Sequence, residues 1–234
     1  DSLEPLAALW ARALAAPGAL AGDYERLWRA GLDDPAAHYL AVRERFNAAG
    51  GPAELLYLLA RCVKSAPRFN AAGAFNQSAD RRRLGMRPER MRREIAGAAT
   101  LLAGRAVVRS GDFRAALADA TPADLVYLDP PWQGTSSGRD RRYRDGLDRR
   151  ALIAALEDLD ARGVPWLLSY DGRHGERTYG EPLPAERIGA SRVELVAGRS
   201  SQATLGGRRV TTVESLYVSR HLAGPAVRAR AAAA

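Results

Sequence analysis

The chain has 234 residues, enough for one domain, or one domain carrying a large insertion, to bury a sizeable core. A formal charge of +8, with Lys64 as its only lysine, favours a polyanionic partner such as nucleic acid, the plainer reading being a solvated basic face. Cys62 is the only cysteine, which excludes an intrachain disulfide and a cysteine-built zinc site and suits a reducing cytoplasm.

The first elements are helical. Residues 3–16 form an apolar stretch too short to span a bilayer and interrupted by Glu4 and Arg12, so no membrane segment is expected. Within it Leu6, Leu9, Trp10 and Leu14 share one helical face. Tyr24, Leu27 and Trp28 make a second stripe, Tyr39, Val42 and Phe46 a third, and Leu55, Leu56, Leu58 and Leu59 a fourth. Their aromatic members are expected in a core. Pro17-Gly18, Asp33-Asp34-Pro35 and Gly50-Gly51-Pro52 punctuate the helices. Residues 69–93 differ, being polar, glycine-containing and dense in arginine, and read as a surface loop leading into a helix.

From Ala106 the texture becomes α/β. Residues 106–109, 125–128, 166–170, 193–196 and 215–218 are short β-rich runs, and Leu152, Ala155, Leu156 and Leu159 mark a helix between the second and third. That alternation predicts a mostly parallel sheet with covering helices. The alanine- and arginine-rich tail, residues 222–234, is expected to be disordered.

The sharpest chemical signal is Asp129-Pro130-Pro131-Trp132, directly after the apolar run Leu125-Val126-Tyr127-Leu128. Open α/β sheets place their ligands at the carboxyl ends of parallel strands. Two prolines remove backbone donors and leave carbonyls as acceptors. A carboxylate, a fixed carbonyl and an indole form a compact receptor for a planar amine, the ring stacking on the base. An exocyclic adenine amine is a poor nucleophile because its lone pair is delocalised into the ring. Acceptors on its hydrogens favour pyramidal geometry and free that lone pair for attack on a sulfonium methyl, so positioning and electrostatics carry the step. The alternative is a strand-ending proline turn with a capping aspartate.

Several segments in order resemble the D12, or Dam-type, class of DNA adenine-N6 methyltransferases. Asp129-Pro130-Pro131-Trp132 is similar to its catalytic motif, where tyrosine is commoner in the last place. Residues 68–76, Arg-Phe-Asn-Ala-Ala-Gly-Ala-Phe-Asn, resemble a segment of its DNA-recognition subdomain. Gly111-Asp112-Phe113 resembles the motif preceding the catalytic loop. Residues 169–173, 197–204 and 214–217 resemble C-terminal motifs of a restriction-modification branch.

The resemblance implies that Asp129 and the Pro130 carbonyl hold the target amine, that Trp132 stacks on a flipped adenine, and that S-adenosyl-L-methionine is the cofactor. It implies that Asp112 accepts from the cofactor's adenine amine with Phe113 beside that ring, that Asp129 lies near the methionine part, and that Asp1 meets the ribose hydroxyls. Duplex DNA is the implied partner, with a cognate restriction endonuclease expected as a companion. The chain is expected to act as a cytoplasmic, nucleoid-associated monomer. For DNA, Arg68, Phe69, Asn70, Asn76, Gln77, Arg81, Arg82 and Arg83 are the candidates. Arginine reads guanine edges and asparagine or glutamine adenine edges, while clustered arginines clamp phosphates. Phe69 is either a wedge into the base stack or core. Arg90, Arg92 and Arg93 read as a solvated helix face, Asp171 as a residue facing the site or a turn cap, and Arg199 to Ser201 as pocket lining or a turn. His38, His174 and His221 lack metal-ligand spacing, and no metal is expected.

The expected fold is therefore a Rossmann-like methyltransferase sheet over residues 1–22 and 101–221, with a helical target-recognition subdomain at 23–100. The family's first strand and its glycine-rich cofactor loop have no counterpart in the sequence, so the sheet is expected to be incomplete and the chain alone to bind cofactor weakly. Three alternatives stay open: a cytosine-N4 methyltransferase, a methyltransferase for rRNA or a protein amide, and a DNA-binding remnant without catalysis.

Overall fold

The structure is a computed structural model that describes residues 1–65, 67–132, 146–175, 177–199 and 211–222. It divides into two compact units, one essentially Asp1–Phe113 and the other from Arg114 onward.

The first unit is helical: α1 (Glu4–Ala15), α2 (Pro17–Ala30), α3 (Pro35–Ala49), α4 (Pro52–Arg61) and α5 (Pro88–Leu102). All five carry proline in the first turn, where a missing N–H costs nothing and the fixed φ favours the helix. Asp34 caps α3 by accepting from Ala36 N and Ala37 N at 3.2 and 3.0 Å, and left-handed Gly50 (φ 67°) ends it. Of the expected stripes, Leu9, Tyr24, Tyr39, Val42, Phe46, Leu55 and Leu58 are buried, and Leu6, Leu27, Trp28, Leu56 and Leu59 pack half-buried against them. Leu20 and Tyr57, outside the stripes, join the core.

Trp10 departs from the expectation, at 45% exposure. The buried side of α1 is instead Ala7, Leu9 and Ala13, because small residues let the helix lie close against α4 and α5. The same packing places α1 in the helical unit, whereas residues 1–22 were expected with the sheet.

His38 adds a pH dependence to this unit. Its ring packs edge-on to Tyr57 at 5.6 Å, and its buried Nε2 has no hydrogen-bond partner among the described residues. Burial, helped by the charges of Arg45 and Arg61 and opposed by a bond to the Leu27 backbone, holds its pKa below the ordinary histidine value. Between that ordinary value and the folded one the unfolded chain binds the proton and the folded chain does not. The contribution is thus complete above the ordinary value and is lost as pH falls toward and through the folded pKa. Denaturant midpoints should fall from about pH 7 to about pH 5, and His38→Gln should flatten that dependence.

The second unit contains α6 (Phe113–Ala118, starting at the boundary), β1 (Val126–Leu128), α7 (Arg149–Ala161), β2 (Trp166–His174), β3 (Arg177–Tyr179), β4 (Ala190–Arg199) and β5 (Thr211–Ser219). Strand order is β1-β2-β5-β4, with β3 on β2. The sheet is mixed, not mostly parallel. Only β1 and β2 run parallel (Val126↔Trp166, Leu128↔Leu168), while β3 and β5 pair antiparallel to β2 and β4 antiparallel to β5. A parallel pair needs a long crossover, which α7 provides between β1 and β2, whereas β3 follows β2 after a short turn. Leu152, Leu156 and Leu159 of α7 are buried, as are Trp166, Leu168, Tyr170 and Tyr217 of the sheet.

Residues 106–109 do not form the expected strand, and Val107 is 85% exposed. Strand propensity needs a ladder partner, and the described backbone bonds to this stretch and its end come from residue 1: Asp1 N donates to Arg109 O at 3.1 Å and Gly111 N to Asp1 O at 3.0 Å. Residues 200–204 of the expected C-terminal motif and residues 223–234 of the expected disordered tail lie outside the described residues.

Candidate active site

The turn before β1 is fixed locally. Asp124 Oδ2 accepts from Thr121 N at 2.8 Å and from its hydroxyl at 2.7 Å, which holds the Asp124 carboxyl below its usual range. The strand then runs straight to Asp129. That side chain is exposed, and among the described residues no cation or hydrogen-bond donor engages its carboxylate. Pro130 and Pro131 are half-buried and bring no N–H to the corner. Trp132 is half-buried as well, its ring centroid 6.2 Å from that of Tyr179 with 61° between planes. A Cβ added at Gly172 would meet the indole Cζ3 and Cη2 at 3.1 Å, so the indole lies directly over this glycine of β2. The result is an exposed carboxylate, with no partner among the described residues, three positions before an indole on a stretch of chain stiffened by two prolines.

Asp171 does not join this corner. It is buried at 2% exposure, accepts from Arg192 Nη2 at 3.0 Å, and takes the Tyr217 hydroxyl. Arg192 also donates to Ser215 Oγ at 2.6 Å. The carboxylate is thus committed to the sheet interior, and it helps push the Tyr217 hydroxyl pKa up, behind burial as the main cause. It is neither a turn cap nor a residue facing the site.

In the first unit, the two backbone bonds between Asp1 and residues 109–111 bring the chain's first carboxylate alongside the segment carrying exposed Asp112 and half-buried Phe113. Asp1 Oδ1 accepts from Leu3 N at 2.7 Å, which orients the side chain at the start of α1.

The arginine-rich segment before α5 is held to the helical core along its length. Asn47 pairs with the Phe75 backbone in both directions, Oδ1 accepting at 2.8 Å and Nδ2 donating at 3.0 Å. Tyr39 and Tyr24 send hydroxyls out of the core to Gln77 O (2.9 Å) and Met86 O (2.6 Å). Trp28 Nε1 donates to Leu84 O at 2.9 Å, and buried Arg61 donates to Arg83 O. Arg81 and Arg82 are exposed on this fixed loop. Arg83 is exposed too, but its Nε donates to Asp80 at 3.1 Å. A groove of about 810 Å³ runs beside the loop, with Leu56, Leu59 and Met91 in its wall and Arg83, Arg90 and Arg93 also lining it.

A family model described as D12 class N6 adenine-specific DNA methyltransferase matches residues 1–194. The chain belongs to this family. It is also similar to the Escherichia phage P1 protein named DNA N-6-adenine-methyltransferase, at 28% identity over 147 residues, 57% of this chain and 19% of that protein. The Retron Ec67 DNA adenine methylase of Escherichia coli is 28% identical over 176 residues, 71% of this chain and 59% of that protein. The chain thus spans less than two thirds of the length of either relative.

Within this D12-family chain, the residues expected to touch DNA have different surroundings. Phe69, expected as wedge or core, is core: it is 5% exposed and packs edge-on to Phe75 at 5.8 Å. Asn70 braces its own turn, with Oδ1 accepting from Ala74 N at 2.9 Å. Gln77 Oε1 accepts from Ser78 N at 3.0 Å, Asn76 is exposed, and Arg68 is half-buried. Arg90 and Arg92 are exposed and pair with Glu94 and Glu25. Sequence reasoning missed Asn47 and Arg61, which have no local motif. It also missed Tyr179, and it placed Gly172 in a motif without the indole above it, although a glycine inside a strand is a known sign of close approach by another group.

Proposed function

We propose that this D12-family protein transfers a methyl group from S-adenosyl-L-methionine to the N6 amine of an adenine flipped out of duplex DNA. The observation that carries the reading is Asp129: an exposed carboxylate that no described group engages, at the tip of a parallel strand, followed by two prolines and an indole held edge-on to a tyrosine. Asp129 and the Pro130 carbonyl accept the two N6 hydrogens, and Trp132 stacks on the purine. Flipping is required because the amine is out of reach inside a duplex.

The cofactor supplies an electrophilic methyl on a sulfonium sulfur. Its adenosine half presents donors, two ribose hydroxyls and an amine. The residues present fit it: the ladder that brings Asp1 alongside residues 109–111 offers carboxylate acceptors there, Asp1 for the hydroxyls and Asp112 for the amine, with Phe113 beside the ring.

The loop of residues 67–87 is the proposed DNA contact, with exposed Arg81 and Arg82 on phosphates and exposed Asn76 offering its carboxamide to a base edge. Arg81→Gln and Arg82→Gln should each weaken binding across all sequences and reduce the salt slope of log K by about 0.9. Arg83→Gln should change it less, because Asp80 already holds that guanidinium. An unchanged slope in both of the first two variants would remove the loop from the interface.

The reading itself is tested by incubating the complete gene product with S-adenosylmethionine labelled in its methyl group, in separate reactions with duplex DNA, ribosomal RNA and total protein. Label is expected in the DNA only. Label in RNA or protein, or in none of the three, would contradict the proposal.

A further inference from the structure

We propose that Tyr179 is a positioning residue for the target-base pocket: it fixes the Trp132 indole at the angle from which that ring stacks on the substrate base. The inference rests on the reading of Trp132 given above and adds a residue to it.

Three observations converge. First, β3 stands apart from the main strand path and pairs only with β2, in a register that sets Tyr179 directly opposite Gly172. Directly opposite residues in an antiparallel pair project to the same side of the sheet. Second, the side without a side chain at residue 172 is where the indole sits, 3.1 Å from the place a Cβ would occupy. Trp132 therefore fills the gap left by the glycine, and Tyr179 is the cross-strand neighbour that this gap exposes. Third, the two rings meet at 6.2 Å and 61°, an edge-to-face contact that fixes orientation as well as depth.

The glycine is held to its identity from the other direction too. A Cβ at residue 172 would lie 2.3 Å from Val213 O, at the register shift where β5 passes close to β2. The indole is thus bounded beneath by bare backbone and flanked by a tyrosine. Proline stiffness acts on the backbone of the corner, whereas the edge-to-face contact acts on the indole's own χ angles. A ring misplaced by about 1 Å presents the base wrongly to Asp129, an error that costs on the order of 100-fold in rate without touching the DNA-binding loop.

The test uses the 234-residue chain and the near-ultraviolet circular dichroism of tryptophan, with Trp132→Phe defining the part of the band that Trp132 contributes. Tyr179→Phe keeps the ring and should keep that part. Tyr179→Leu should lose it while far-ultraviolet structure is retained. Should the leucine variant fail to fold, Tyr179→Ile, a better strand former, gives the same reading. In methyl-transfer assays the leucine or isoleucine variant should lower kcat by about 10- to 100-fold and leave the KM for DNA within about twofold, with phenylalanine restoring kcat. An unchanged tryptophan band, or a phenylalanine variant as defective as leucine, would overturn the positioning role. So would a change confined to KM. Failure of the methyltransferase reading itself is seen separately, as label absent from DNA in the unsubstituted protein.

Discussion

Asp129→Ala is expected to lower methyl transfer by on the order of 10²–10³-fold or more while leaving DNA affinity nearly unchanged. The carboxylate is exposed and engages no other described group, so its removal strands no buried partner and should cost the fold little. On the proposed reading, what is lost is the acceptor that polarises the amine as it attacks, an interaction stronger in the transition state than in the bound ground state. The loss should therefore fall on kcat and not on KM. Asp129→Asn keeps one acceptor oxygen but turns an NH2 group toward the substrate and should retain only a small part of the rate. DNA affinity, read by the same salt titrations as the arginine variants, should follow the unsubstituted protein. If Asp129→Ala methylated DNA at the normal rate, the acceptor role would be wrong.

The second large effect is expected at a residue without any catalytic role. Asn47→Ala removes both hydrogen bonds to the backbone of Phe75, which is 1% exposed. A buried N–H and a buried carbonyl are then left without partners, each costing about 1–3 kcal/mol, so the helical unit should lose about 2–6 kcal/mol in chemical denaturation. Asn47→Asp keeps the acceptor for Phe75 N but sets a carboxylate oxygen against Phe75 O, and should recover only part of the loss. Because the Phe69–Phe75 contact and the turn at Asn70 to Ala74 follow directly from this anchor, DNA affinity should fall in both variants. Full stability in Asn47→Ala would show that water or a loop shift satisfies Phe75 and that the anchor is dispensable.

The contrast between these two positions shows what the sequence discloses. Asp129 was legible because its chemistry is local: an apolar run predicts a strand, and four consecutive residues at its end define the corner. The helical core was legible for the same reason, since Tyr24, Tyr39 and Phe46 lie on periodic faces. Asn47 was not, because its partner is 28 residues away and an asparagine on a helix has no pattern of its own. Nor do the stripes tell that Tyr24 and Tyr39 direct their hydroxyls to loop carbonyls 62 and 38 residues further on.

Residues 106–109 have strand propensity, but propensity cannot supply a ladder partner, and the described backbone bonds to them and their end come from Asp1. Strand direction was misjudged because residues 177–179 went unnoticed and because β4 and β5 pair as antiparallel neighbours. Three residues carry too little pattern to announce a strand. Asp171 follows an apolar run much as Asp129 does, yet Arg192 and Tyr217 hold it in the interior. Nothing local separates the two aspartates; the register of β2 with β5, and of β5 with β4, does.

The most direct test of the account is the identity of the methylated base. DNA free of adenine methylation is incubated with the complete gene product and S-adenosylmethionine, digested to nucleosides and resolved by mass. The account predicts N6-methyldeoxyadenosine as the new nucleoside, absent when Asp129→Ala replaces the enzyme. N4-methyldeoxycytidine in its place, or no methylated nucleoside from an enzyme that binds the DNA, would contradict it.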